Sequence, residues 1–391
     1  MTYKIGLVLS KPPVYSETFF INKIEGLQEA GYEVVLFVQN NAKSFNLSKT
    51  IQAPKVSKRA WLQFFKSLWV FVTLLPYYKR LLLFIRLEKE AKRSHKQTLK
   101  NIYNNAHLLK AHVDWLHFGF GTMALQSEHV AKAIGAKMAV SFRGFDIDVY
   151  PLKHPGCYEL LWTQVDKVHA ISNYILKRTY EYGLSEQVVT QIITPAVDIE
   201  LFKSEKVDSR LTEASFNILT IARLHWIKGL TASLEALALL KQIGIRFKYT
   251  IIGEGIEYES LMFAIHQLEL QDVVQLLGKQ PHESIVNYLS DADVYLQYSL
   301  SEGFCNAVLE AQAMGLLCVV SDAEGLQENI LHAQTGFVVE KQQPALLAKA
   351  LENLLHLPSQ EKELIRKAAK VRVREVFNLE KQKKAFIEFY E

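Results

Sequence analysis

Between residues 216 and 320 the chain alternates short apolar runs with amphipathic stretches, and that pattern leaves few folds open. Residues 216–222, 247–252, 273–276, 293–297 and 317–320 read as buried strands. Segments 230–240, 258–268 and 282–289 carry helical spacing between them. Strands buried on both faces appear as continuous apolar runs, and parallel neighbours need a crossover, usually a helix. The first half repeats the scheme less regularly, with strands expected at 3–9, 33–38, 114–118, 137–142, 167–171 and 188–193. A helix is expected from about 18 to Gly31, another near 123–134, and a third capped by Ser172. At 391 residues there is room for two such α/β domains, joined near 195–202.

The densest chemistry lies in residues 298–320, YSLSEGFCNAVLEAQAMGLLCVV. The chain must turn at Ser301-Glu-Gly-Phe304, form a short helix over about 305–314, and stop at Gly315, which tolerates a left-handed cap. Glu302 then sits at the carboxyl end of a parallel strand, where open α/β sheets bind ligands. Glu310 lies on the helix face of Asn306 and leans back toward the helix start. Free N–H groups and the dipole at that start favour an anion. Carboxylates repel a phosphate, so Glu302 and Glu310 suit sugar hydroxyls beside it. Together these features describe a sugar attached to a phosphate.

Glu302-Gly-Phe-Cys-Asn-Ala-Val-Leu-Glu310 resembles the E-x7-E motif of family 4-type retaining glycosyltransferases (glycosyl transferases group 1). The likeness continues through Ala-Gln-Ala-Met-Gly315 and Thr335-Gly-Phe-Val338, and Ser16-Glu-Thr-Phe19 is similar to the exopolysaccharide, colanic-acid-type branch. The resemblance implies a GT-B fold: two Rossmann-like, doubly wound parallel-sheet domains facing a central cleft. An acceptor-binding domain would cover 1–195, a nucleotide-sugar domain 196–376, and a C-terminal helix over 377–391 would cross back to the first. It also implies a UDP- or GDP-linked sugar as co-substrate, no other cofactor, retained anomeric configuration and no metal. Glu302 would face the sugar and Glu310 the ribose, with Gly303, Phe304, Cys305, Asn306, Ala307 and Val308 lining the donor.

Ala222-Arg-Leu-His-Trp-Ile-Lys-Gly229 follows a strand and opens a helix, placing Arg223 and Lys228 where two cations can neutralise a diphosphate leaving group. The turn at Gly253 and Gly255 is expected beside the nucleotide. Gly278 and Lys279 lie in a loop that, in the resembled family, reads the base. In the first half, His117 is expected to donate to sugar or phosphate as a catalytic group. Arg143 is expected on acceptor phosphate and Asp146 on an acceptor hydroxyl, with Ser16, Glu17 and Thr18 nearby. Asp146-Ile-Asp148 has the spelling of a metal pair but lies in the wrong half.

Net charge is +4, yet residues 55–100 hold twelve Lys or Arg against Glu88 and Glu90, leaving −6 for the remainder. The same stretch carries Trp61, Phe64, Phe65, Trp69 and Phe71. Its longest uncharged run, 67–78, falls short of the roughly 20 residues that span a bilayer. A basic, aromatic segment of this kind suits an anionic membrane surface. Three cysteines without ligand spacing imply neither disulfides nor zinc, and the first strand begins too soon for a signal-peptide core. The expected setting is therefore cytoplasmic, peripheral on the inner face of the plasma membrane. The expected partner is a glycan or lipid-linked glycan acceptor, and nucleic acid is not among the partners. The rival readings are a GT-B-fold nucleotide-sugar epimerase or hydrolase, and a non-catalytic membrane-docked subunit.

Overall fold

The structure, a computed structural model, describes residues 3–13, 18–40, 45–203 and 216–391. Thirteen strands among them form two sheets, every pairing parallel. The first sheet holds β1 (Lys4–Leu9), β2 (Glu33–Val38), β3 (Lys49–Gln52), β4 (Trp115–Phe118), β5 (Lys137–Phe142), β6 (Lys167–Ala170) and β7 (Val189–Ile192), in the order β3-β2-β1-β4-β5-β6-β7. The second holds β8 (Phe216–Ile221), β9 (Phe247–Ile252), β10 (Val274–Leu276), β11 (Val294–Gln297), β12 (Leu317–Ser321) and β13 (Phe337–Val339), in the order β10-β9-β8-β11-β12-β13. Strand order reverses between β1 and β4 in one sheet and between β8 and β11 in the other. At such switch points the loops after neighbouring strands diverge and leave a crevice.

Each sheet belongs to its own compact unit. One comprises Met1–Ile193 with Lys383–Glu391, the other Thr194–Gln382. The last helix, Leu379–Tyr390, therefore ends in the first unit, where Phe386, Phe389 and Tyr390 are buried in its core. The return to the first unit falls at Lys383 rather than at 377.

Two details differ from the sequence reading. The helix expected at 123–134 is two short ones, Gly121–Ala124 and Val130–Ile134, and Gln126 between them takes a positive φ of 68°. The basic segment is also longer in helix than its uncharged run suggested. Ala60–Leu74, a tight turn at Leu75–Tyr77 and Tyr78–Glu90 make 31 helical residues. Its most apolar 18-residue window has mean hydropathy 1.5 and is 17% buried, so length and composition would allow it to cross a membrane.

Its inner edge is nonetheless fixed to the first unit. Val70, Leu74, Phe84, Leu87 and Glu88 are buried. The Glu88 carboxylate accepts from Arg93 Nη1 (2.7 Å) and Asn101 Nδ2 (2.6 Å), and lies 2.8 Å from His129 Nδ1. Pulling that helix into lipid would strip these partners from a buried carboxylate, at a cost of several kcal/mol. Lying on a surface leaves them intact.

Candidate active site

In the second unit the switch point gathers the expected donor residues from two loops. Leu300 N–H donates to Ile227 O (2.8 Å), tying the loop after β11 to the tight turn Trp226–Lys228 after β8. Gly229 ends that turn at φ 60°, and a Cβ there would lie 2.1 Å from Tyr298 O. Only glycine permits both the conformation and the approach. The result is an ion pair across 74 residues of sequence. Lys228 Nζ donates to Glu302 Oε2 at 2.5 Å, with both side chains only 13–14% exposed. Ser299 Oγ donates to the same oxygen (3.2 Å), and Gly325 N–H to Glu302 O (2.8 Å). Burial opposes the Lys228 charge, but the Glu302 carboxylate outweighs it and holds the ammonium above its ordinary range, with Arg223 close enough to act against it. Arg223 itself is exposed.

The helix Asn306–Ala313 begins beside this pair. Cys305 N–H donates to Asn329 Oδ1 (3.0 Å), and Asn329 Nδ2 donates back to Cys305 O (3.1 Å), so the Cys305 amide is already used. Among the described residues the Asn306 and Ala307 amides take no such partner, and they are the groups left to meet an anion. The Cys305 thiol is buried and pushed up to about 12, which leaves it inert. Phe304 packs on Phe377 with ring centroids 5.5 Å apart, while Val308 is fully buried and serves the core. The Glu310 carboxyl group has no hydrogen bond or ion pair among the described residues, and burial pushes it up to about 7. An acceptor pair without a donor is what hydroxyl groups would complete.

The glycine turn at 253–255 approaches protein as well as any ligand. A Cβ on Gly253, at φ 150°, would meet Ala222 O at 1.8 Å, and one on Gly255 would meet Leu224 O at 2.1 Å. Leu224 N–H donates to Glu254 O (3.0 Å), so this turn braces the loop that carries Arg223. Gly253 N–H in turn donates to Gly278 O (2.9 Å), and Lys279 makes an exposed pair with Glu254. Ser299, Gly325 and Asn329 were not anticipated.

The first unit answers differently. His117 is fully buried on β4. His169 Nε2–H donates to Ile193 O (2.9 Å), which makes its Nδ1 the acceptor for Ser141 O–H (2.7 Å). Ser141 Oγ then accepts from His117 Nε2–H (2.7 Å), leaving His117 Nδ1 to accept from Tyr390 O–H (2.6 Å), with Lys23 Nζ also 3.2 Å away. Both His117 nitrogens are engaged inside the protein, so the expected donation to a ligand is not available in this arrangement. Burial, then Lys23 and His169, hold its pKa well below the ordinary value, in keeping with a neutral ring.

Asp146 is likewise committed. Its Oδ1 accepts from Thr122 N–H and Oγ1–H (both 3.0 Å) and its Oδ2 from Arg143 N–H (3.2 Å), so the carboxylate expected on an acceptor hydroxyl is engaged inside the protein. Asp148 accepts from Tyr174 O–H (2.6 Å). The Arg143 guanidinium lies over Phe19 (4.2 Å) and Phe20 (5.0 Å). Ser16 and Glu17 lie outside the described residues, and Thr18 opens the helix Thr18–Glu29.

Two parallel-sheet α/β units, each with its own switch point, are a fold of the GT-B type. The solved structure of Anabaena Alr3699/HepE in complex with UDP superposes with a TM-score of 0.73, at 16% identity, covering 100% of this chain and 99% of that one. Residues 202–371 match the family model Glycosyl transferases group 1, so the chain carries a glycosyltransferase group 1 domain. It is similar over its length to the putative colanic acid biosynthesis glycosyltransferase WcaL of Escherichia coli K12, at 27% identity with 96% of each chain covered. It is also similar to the amylovoran biosynthesis glycosyltransferase AmsK of Erwinia amylovora, at 32% identity over 61% of this chain and 60% of that protein.

Proposed function

We propose that this protein transfers a sugar from a UDP- or GDP-linked donor, with retention and without a metal ion, to a lipid-linked or polysaccharide acceptor in cell-surface polysaccharide biosynthesis. The observation that carries this reading is the convergence of Arg223, Lys228, Glu302, Glu310 and the start of the helix at Asn306 on one switch point. Two cations and free amides supply a fixed positive field where the leaving diphosphate gathers charge, the task a metal performs elsewhere. Support for the nucleotide comes from the UDP bound to the Anabaena protein, and support for the pathway from the names of the colanic acid and amylovoran relatives.

The working place follows from the outer edge of the helical run 60–90. Trp61, Phe64, Phe65, Leu68, Trp69, Val72, Leu75 and Leu82 are exposed along it, with Lys58, Arg59 and Lys79 also exposed. Aromatic and basic groups together fit the headgroup region of an anionic leaflet, at about 1 kcal/mol for each basic residue near the surface. The enzyme would then be cytoplasmic and peripheral on the inner face of the plasma membrane.

One experiment covers both halves of the proposal. The protein, in EDTA, is mixed with UDP- or GDP-sugar and anionic liposomes carrying a lipid-linked glycan. Sedimentation with the liposomes should fall as salt rises, because exposed charges are screened within about 8–10 Å. It should also fall in Lys58→Glu/Arg59→Glu/Lys79→Glu. Arg80 is left out of that variant because its guanidinium donates to Ala111 O (2.6 Å) and holds the segment in place. The new glycosidic bond, read by NMR, should keep the donor's anomeric configuration. Inverted product, or binding indifferent to lipid charge, would contradict the corresponding half.

A further inference from the structure

The Lys228–Glu302 pair joins the group expected on the diphosphate to the group expected on the sugar, and they neutralise each other in the free site. We infer that Glu302 restrains Lys228, so that the site discriminates against a bare nucleoside diphosphate and releases it after transfer. This rests on the donor-site reading above and adds a regulation of that site. From sequence alone, Glu302 faces the sugar and has no bearing on the free nucleotide. The ion pair gives it one.

The physical reasoning starts from burial. Lys228 and Glu302 are each only 13–14% exposed, and Glu302 Oε2 is held from a second side by Ser299 Oγ at 3.2 Å. A diphosphate approaching Lys228 must compete with a carboxylate 2.5 Å from its Nζ and is repelled by that carboxylate's charge. An intact donor brings sugar hydroxyls that donate to Glu302, which spreads the carboxylate charge over new partners and frees the ammonium for the phosphate. Once the sugar has left, Glu302 loses those hydroxyls and recovers Lys228. The hold on the remaining nucleoside diphosphate weakens at the moment it becomes product. Release of product limits many enzymes, so a device of this kind would act on turnover.

Inorganic diphosphate is the probe that isolates the effect, because it needs neither the correct base nor the correct sugar. Its affinity is measured by calorimetry for the wild type, Glu302→Gln, Lys228→Ala and the double variant. Glu302→Gln should bind diphosphate about tenfold more tightly or better, since an uncompensated buried ammonium seeks an anion. Glu302→Asp keeps the charge but shortens the reach and should fall between; it also serves should Glu302→Gln fold poorly. In the double variant no ammonium is left to free, so the gain should vanish and diphosphate should bind no more tightly than in the wild type.

If Glu302→Gln and Glu302→Asp bind diphosphate no better than wild type while Lys228→Ala binds it less well, the restraint is refuted and the donor-site reading stands. Should Lys228→Ala bind diphosphate as the wild type does, the donor-site reading itself falls.

Discussion

Alanine in place of Arg223 or of Lys228 is expected to cut sugar transfer by on the order of 10²-fold or more, the scale seen when a preorganised group is removed from a developing anion. The two losses should differ in kind. Arg223 is exposed and presents a planar fork, whereas Lys228 is mostly buried and already paired with Glu302. Losing Arg223 removes charge from the mouth of the site with little disturbance to the fold. Losing Lys228 also strands the Glu302 carboxylate, so part of its effect should appear as lower thermal stability. Steady-state transfer assays alongside thermal melts separate the two. Normal turnover in both variants would show that the second unit has been misread.

The second large effect belongs to Glu310. Burial raises its carboxyl from the ordinary 4.5 to about 7, and no donor among the described residues offsets this. A carboxyl whose folded pKa is raised binds its proton more tightly in the folded state. The associated stability is complete below about 4.5 and is lost as pH rises through 7. Glu310→Gln, which has no charge to bury, should therefore make the free protein more stable than wild type at pH 8. The expected gain is ~1–3 kcal/mol, the upper figure being reduced by the carboxyl's partial contact with solvent. At pH 4.5 the gain should be absent.

Nucleotide binding should move the other way. Two ribose hydroxyls donating to a carboxylate are worth about 1.5–3 kcal/mol each, so the variant should lose on the order of 10²-fold or more in affinity. In the wild type, affinity for a nucleotide sugar should strengthen as pH rises through about 7, and in the variant it should be flat. A sugar diphosphate diester is the right ligand here because it does not titrate in that range. A group that stabilises the protein when removed and weakens ligand when removed is the mark of a site rather than of a core.

Most of this architecture was legible as alternation. The strands flanking the Glu302 loop were expected at 293–297 and 317–320 and are found at Val294–Gln297 and Leu317–Ser321, because strands buried on both faces leave an unbroken apolar signature. The edge strand β3, Lys49–Gln52, left no such trace, since none of its four residues is fully buried. The helical break near Gln126 was hidden because it depends on backbone conformation and not on hydrophobic period.

In the site, local spacing placed Glu302 and Glu310 on one loop and helix, but long-range pairing decided what their neighbours do. Lys228 meets Glu302 across 74 residues, and His117 meets Tyr390 across 273. No local pattern reports such contacts. His117 and Asp146 have the residue types of a ligand site at strand ends, and the structure spends both on internal hydrogen bonds. The turn at Gly253 and Gly255 was expected beside a nucleotide, and the close approach found there is to the backbone of Ala222 and Leu224.

Whether the second unit is a nucleotide-sugar site can be read from thermal unfolding of the whole chain at pH 8 in a panel of UDP-, GDP- and ADP-linked sugars. A ligand present at 100 times its Kd stabilises the protein by about 2.7 kcal/mol. One nucleotide class should raise the midpoint by several degrees in the wild type, and the rise should be lost or much reduced in Lys228→Ala and in Glu310→Gln. No shift with any member of the panel at millimolar concentration, or equal shifts in the wild type and both variants, would contradict the assignment.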